Sequence, residues 1–174
     1  MKNVSKQKEL FRIAFFKQHK RFRSAQIQFR DALSQVFETL TLFLAQFEEV
    51  KSLKIAAYKS LPSEVPMEQW LRRLGYEFWT PEVEGESLIF RKNNAAVLLK
   101  EMDLIFTPAL LVSENGNRLG RGGGYYDRAL IEVTKKKRVF VGFDWQVRNK
   151  LPIGSHDQTI HWIVSESGVR QIRT

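Results

Sequence analysis

The chain has 174 residues, enough for one domain, and at 43% hydrophobic it can build a sizeable core. It has no cysteine, which excludes disulfides, thiol nucleophiles and cysteine-zinc sites and fits a reducing compartment. The net charge of +9 is uneven: among the first thirty residues nine bases (Lys2, Lys6, Lys8, Arg12, Lys17, Lys20, Arg21, Arg23 and Arg30) face Glu9 alone, leaving a net +8 in that segment.

Such a segment could attract nucleic acid, an acidic surface or a polyanionic small substrate, or it could be a solvated helix face. Arg12 and Lys17 interrupt its apolar residues, so a secretory signal is not expected. The scarcity of acids leaves a transit peptide open. No apolar run approaches the length of a membrane span.

In chain order, a first helix is expected near residues 4–22 and a second near 25–48, with Ser24 as a break or N-cap. Leu33, Val36, Phe37, Leu40, Phe43, Leu44 and Phe47 recur at steps of three and four, the stripe of an amphipathic helix packed on a core. Lys54–Tyr58 reads as a short strand. A helix is expected from Pro66 to Gly75, with Met67, Trp70, Leu71 and Leu74 on its buried face. Tyr76–Thr80 reads as a strand stopped by Pro81, Gly85 as a turn, and Ser87–Phe90 as the next strand. A short helix is expected over Asn94–Lys100 and a compact strand over Leu104–Thr107. Past a glycine-rich loop, Tyr125–Thr134 reads as helix, and Arg138–Phe143 and Trp162–Ser165 as strands. Helices alternating with strands predict an α/β fold: a three-layer α/β/α arrangement around a mainly parallel, Rossmann-like sheet, preceded by an N-terminal helical segment. A single domain is expected over 1–174, with helices to residue 50 and an α/β body over 51–174.

The glycine-rich loop, Gly116-Asn117-Arg118-Leu119-Gly120-Arg121-Gly122-Gly123-Gly124-Tyr125-Tyr126-Asp127-Arg128, carries the chemistry. Glycines admit positive φ and close approach of a ligand to the backbone. Successive amides can form a nest for anionic oxygens, arginines offer forked donors to phosphate, and Asp127 offers a hard oxygen to magnesium. The loop matches neither common phosphate motif. A Walker A loop begun at Gly116 needs glycine where Arg121 stands, and a dinucleotide fingerprint begun at Gly120 needs glycine where Tyr125 stands. A glycine-rich hairpin is the alternative.

Residues 118–128 resemble the signature of the 5-formyltetrahydrofolate cyclo-ligase family, also called methenyltetrahydrofolate synthetases. Lys8-Glu9-Leu10-Phe11-Arg12 resembles the family's N-terminal element. Tyr58 to Val65, Asp103 to Pro108, and Gln146, Pro152, His156 and Asp157 follow in the family's order. The resemblance implies an ATP-dependent ligase that converts 5-formyltetrahydrofolate to 5,10-methenyltetrahydrofolate by phosphorylating the formyl oxygen, with ADP and phosphate released. It implies that Gly116, Asn117, Arg118, Leu119, Gly120, Arg121, Gly122, Gly123 and Gly124 cradle the ATP phosphates and that Lys8 and Arg12 reach them from the first helix. It assigns the substrate to Tyr58, Lys59, Glu64, Tyr125 and Tyr126, catalysis to Arg121, Tyr125 and Tyr126, and magnesium to Asp127 and Asp157. The implied partner is a reduced folate, with or without a polyglutamate tail, bound by a cytoplasmic monomer with no membrane association. Two departures stand out. Only Arg91–Met102 joins the Phe90 region to the Asp103 strand, and Pro108 is followed by Ala109 rather than glycine. The ATP side is therefore complete by this comparison and the folate side reduced. The alternatives are a divergent relative that binds ATP but acts on another small substrate and, ranked below it, a basic nucleic-acid-binding module.

Overall fold

The computed structural model describes residues 2–47, 49 and 52–173. Two long helices lead, α1 (Lys2–Ser24) and α2 (Gln26–Leu44). They part where the Ser24 hydroxyl donates to the Arg21 carbonyl and Ala25 leaves helical geometry at ψ 70°. Such a local bond offers the backbone an alternative to the helix. Helix α2 buries Val36, Leu40, Phe43 and Leu44, so the apolar stripe is core as expected. It ends at Leu44; the expected last residue, 48, lies outside the described residues.

The α/β body follows: β1 (Ile55–Ala56), α3 (Met67–Arg73), β2 (Phe78–Glu84), β3 (Ser87–Lys92), β4 (Ala95–Val97), β5 (Leu104–Phe106), β6 (Leu111–Ser113), β7 (Arg118–Leu119), α4 (Tyr125–Ala129), β8 (Arg138–Val141), β9 (Val147–Arg148), β10 (Trp162–Ser165) and β11 (Gly168–Gln171). Eight strands form the main sheet in the order β11-β10-β8-β5-β1-β2-β3-β4. Its centre, β10-β8-β5-β1-β2, is parallel, and its margins are antiparallel. A second sheet orders β7-β6-β9.

Alternation along the central strands sends side chains to two faces. Ile55, Leu104, Phe106, Val139, Val141 and Val164 join α2 and α3 on one face. Ala56 and Ile105 face the other way, into a cluster with Phe90, Met102, Leu130 and Val133, while Phe140 and Ile163 pack against Val112 of the small sheet. Helix α1 packs on that small sheet instead, with Phe15 beside Leu110, Leu111, Leu119 and Leu151. This is the expected α/β fold, with N-terminal helices and a mainly parallel, mixed sheet. The chain leaves β1 toward β2 on one side, and runs from β5 toward β8 and β10 on the other. The carboxyl ends of β1 and β5 therefore flank the point where strand order reverses, the usual ligand position on such sheets.

Several elements differ from expectation. Pro81 does not stop its strand: β2 continues to Glu84, paired with β3. Strand β1 reaches only Phe78 and Trp79, so beyond it the proline faces no partner on that side and its missing N–H interrupts no bond there. The helix expected over Asn94–Lys100 is a hairpin strand, β4, and a 3-10 turn at Leu99–Glu101. Asn93 (φ 48°) and Asn94 (φ 66°) form the two-residue loop between the paired Lys92 and Ala95, and two positive φ angles define the tight turn that asparagine favours. Helix α4 ends at Ala129 rather than Thr134. The chain also builds β6, between β5 and the glycine loop, and β7, from the first residues of the loop itself, two strands with no sequence-based counterpart.

Candidate active site

A cavity of about 710 Å3 opens where the β1, β2 and β5 ends, the glycine loop and α1 converge. Tyr58 and Lys59 follow β1, Pro108 and Ala109 follow β5, and Lys8 and Arg12 enter from α1. Among the expected site residues, Lys8, Arg12, Tyr58, Lys59, Glu64, the run Arg118–Asp127 and Asp157 all line it. Gly116 and Asn117 do not: they lie in the turn from β6 to β7, where a Cβ on Gly116 would come 2.6 Å from the Ile160 carbonyl oxygen. That glycine is required by packing.

At two positions of the loop the backbone conformation calls for glycine, and an arginine lies close to each. Gly122 (φ +109°) lies against the Arg12 guanidinium, 3.3 Å from where a Cβ would sit. Gly124 (φ +68°) precedes α4, and a Cβ there would meet an Arg128 nitrogen at 2.8 Å. Both left-handed conformations would also strain any larger residue.

The cations are largely engaged within the protein. Lys8 Nζ donates to both Asp157 oxygens at 2.6 and 2.5 Å, and Asp157 also accepts from the Gly154 amide. Arg12 donates to the Gly120 carbonyl, which fastens α1 to the loop. Arg118 is buried and donates to Asp127 at 2.6 Å and to the Pro108 carbonyl, leaving its Nε without a partner among the described residues. Arg121 bonds Ser63 Oγ at 2.6 Å, lies 3.7 Å from Glu64 and stacks over Phe16 of α1. It thereby joins the glycine loop to the segment after β1. Nothing local in the sequence pointed to Ser63, because its partner stands 58 positions away.

The acids and phenols form the floor. Burial raises the Glu64 pKa, against the opposing pull of the Leu61 amide and Arg121. Burial, reinforced by Glu64 and Tyr126, raises the Tyr58 pKa, and burial raises that of Tyr126. Both phenols therefore remain neutral donors. The Tyr58 hydroxyl donates to the Val65 carbonyl, whereas the buried Tyr126 hydroxyl has no partner among the described residues. A buried orphan donor is costly, and a polar ligand atom would satisfy it.

One wall is apolar. Pro81, Val83 and Leu88 from the β2–β3 hairpin face the cavity with Ile131 from the segment after α4. Val83 is 60% exposed and Ile131 68%, open surface beside a polar floor. These residues escaped sequence reading because Pro81 looked like a strand terminator. Arg128 lines the same cavity, donates through Nε to the Glu86 carbonyl and stacks on Tyr125. Among the described residues no group of three or more His, Asp and Glu could hold a metal. Asp127 and Asp157 both line the cavity, and each is paired with a cation. No helix among the described residues is long and apolar enough to cross a membrane.

A sequence model of the 5-formyltetrahydrofolate cyclo-ligase family matches residues 89–166. The chain is 33% identical over 91 residues to a 5-formyltetrahydrofolate cyclo-ligase of Haemophilus influenzae, covering 51% of this chain and 41% of that protein. It is 38% identical over 73 residues to that of Escherichia coli K12, covering 41% and 40%. The chain thus spans about two fifths of the length of the curated relatives it matches. Two solved structures extend the likeness. A 5,10-methenyltetrahydrofolate synthetase from Mycoplasma pneumoniae superposes with a TM-score of 0.72 at 22% identity, over 88% of this chain and 97% of that one. One from Aquifex aeolicus gives 0.66 at 27% identity, over 80% and 82%. With the signature residues gathered around one cavity, the chain is similar to the 5-formyltetrahydrofolate cyclo-ligases in sequence over residues 89–166 and to the methenyltetrahydrofolate synthetases in fold over most of its length.

Proposed function

We propose that this protein uses ATP to convert 5-formyltetrahydrofolate to 5,10-methenyltetrahydrofolate, releasing ADP and phosphate, as a cytoplasmic monomer. The observation that carries the proposal is the meeting, in one cavity, of a cation-flanked glycine loop, an orphan phenol and an apolar wall. The first suits phosphates, the second a polar atom of the acceptor, the third a flat aromatic body. The wall supplies apolar surface on the side where the short Arg91–Met102 connection led us to expect a reduced site.

In this reading the backbone of Gly120–Gly124 cradles the ATP phosphates, with Lys8 and Arg12 beside it, and Gly116 and Asn117 shape the turn that leads to the cradle. Arg118 orients Asp127 and adds positive potential from beneath. The γ-phosphoryl group passes from the bridging oxygen of ADP to the formyl oxygen. The second folate nitrogen then attacks the activated carbon, that carbon loses its oxygen to phosphate, and the nitrogen gives up its proton. No protein nucleophile is needed, and catalysis consists of positioning and charge stabilisation. Arg121 neutralises the transferring group, the Tyr126 hydroxyl donates to the acceptor, and Tyr125, Tyr58, Lys59 and Glu64 hold the folate. Asp127 and Asp157 are the carboxylates for magnesium, directly or through water. Two carboxylates suit an ion that takes its other ligands from phosphate and water, and when bound it would screen phosphate charge.

Purified protein given 5-formyltetrahydrofolate, ATP and magnesium should show the absorbance rise of the methenyl product. Asp127→Ala and Arg121→Ala should each slow it by roughly 100-fold, the cost of removing one preorganised charge-stabilising group. A folded protein that binds ATP yet forms no product at high enzyme concentration would transfer the assignment to a relative acting on another small substrate.

A further inference from the structure

Six arginines and lysines line the cavity, and five of them have a carboxylate within 4 Å: Lys8, Arg12, Lys59, Arg118 and Arg121. Arg128 has none among the described residues. Its Nε is committed to the Glu86 carbonyl at the tip of the β2–β3 hairpin, and its ring-stacked guanidinium sits 5.1 Å above the Tyr125 centroid. The hydrogen bond and the stacking fix the plane of the guanidinium, while no bond within the protein engages the two terminal nitrogens among the described residues. A held guanidinium with an open fork matches a carboxylate or phosphate edge in two parallel hydrogen bonds.

Its position distinguishes those two anions. Arg12 lies against Gly122, at the end of the loop joined to α1, whereas Arg128 lies against Gly124, at the end joined to the hairpin. Ile131, one helical turn beyond Arg128, and Val83 and Leu88 form the apolar wall there. Resting on the folate reading above, we propose that Arg128 is a specificity-determining residue that pairs with a glutamate carboxylate of the folate, once the aromatic body lies on this wall. The anion pairs the cavity cation that has no carboxylate partner among the described residues, and the hairpin tip is held in place by the residue that receives it. A folate with a neutral tail forgoes this pairing and therefore binds less tightly than the acid.

The test is a two-by-two comparison with the full chain. Unaltered protein and Arg128→Ala are assayed with 5-formyltetrahydrofolate and with its diamide, in which both glutamate carboxylates are neutral. For the acid, Arg128→Ala should raise KM by roughly 10- to 100-fold, as expected for losing a hydrogen-bonded charge partner. For the diamide the substitution should change KM less than about twofold, since the interaction is already absent. KM for ATP should stay within about twofold, and Arg128→Lys should restore part of the lost affinity. Equal losses on acid and diamide would reduce Arg128 to a staple for the hairpin. A rise in KM for ATP alone would assign the fork to phosphate. Equilibrium binding of acid and diamide without ATP separates this inference from the proposed activity. Arg128-dependent preference for the acid without turnover overturns the activity alone, and turnover without that preference overturns the role of Arg128 alone.

Discussion

Glu64 is held in a conflict between burial and partnership. Its side chain is 8% exposed, accepts the Leu61 amide at 2.9 Å and lies 3.7 Å from Arg121. Burial prevails and raises its pKa above the ordinary 4.5. The folded state therefore holds this proton more tightly than the unfolded chain. Its contribution is most favourable in acid and is lost as pH rises from about 4.5 through the raised value. Gln carries no such titration and can still accept from Leu61. Urea denaturation across about pH 4 to 8 should find Glu64→Gln equal to the unaltered protein at the acid end and increasingly more stable as pH rises. Its KM for the folate should rise at the same time, the usual opposition between stability and a functional charge. A variant destabilised at neutral pH would mean that the Arg121 pair outweighs burial. Glu64, Lys8 and Asp157 were expected together through the resemblance alone, and all three line the cavity. The pairing of Arg118 with Asp127 was not legible, since the residue type fits phosphate equally well and only the fold brings the two together.

At the scale of elements, α1 is the part whose docking matters most to the site. Phe15 is 1% exposed among Leu110, Leu111, Leu119 and Leu151, and stacks on Trp145 at 5.2 Å. Lys8 and Arg12 project from the same face, two turns and one turn earlier respectively, onto Asp157 and Gly120. Phe15→Ala should cost about 3–5 kcal/mol in urea denaturation, the range for truncating a buried phenylalanine. It should also weaken ATP binding, because two residues of the proposed phosphate site would lose their support. Ile13→Ala, on the exposed side of the same helix, should change stability by less than about 0.5 kcal/mol. Equal effects of the two would mean that α1 is not anchored through its aromatic face. Periodicity revealed α2 because its stripe is long, and Ser24 marked the break that set α1 apart from it. The short elements were harder: Asn94 looked like a helix start, although with Asn93 before it the two adjacent asparagines also suit a tight turn. Which structure wins depends on whether β3 is present to pair with β4, a contact that no local window contains.

Over the whole molecule, charge is segregated in a way the sequence displays and only the fold interprets. Of the basic residues in the first thirty, Lys8 turns inward to the Asp157 carboxylate and Arg12 to the Gly120 carbonyl. Lys17, Lys20 and Arg21 are exposed on α1 and have no carboxylate within 4 Å among the described residues. Lys17 therefore faces like charges at both the third and fourth following positions, each costing about 0.2–0.5 kcal/mol on a helix surface. Arg21 differs from Lys17, for it lies in the last turn, where a cation is favoured by the helix dipole. Lys17→Gln should accordingly raise stability by about 0.5 kcal/mol at low salt, since glutamine matches lysine in helix propensity and both repulsions vanish. Arg21→Gln removes one repulsion and one dipole interaction, so its effect should be near zero. Added salt should erase the gain from Lys17→Gln, because exposed charges are screened. Urea denaturation of both variants at low and high ionic strength distinguishes this from a nucleic-acid-binding face. If the outer face of α1 followed a phosphate backbone, Lys17→Gln would weaken RNA binding and lower its salt dependence by about one unit. If these cations are only a solvated surface beside an enzyme site, the variant should gain stability, keep its KM for ATP and show no RNA binding to lose.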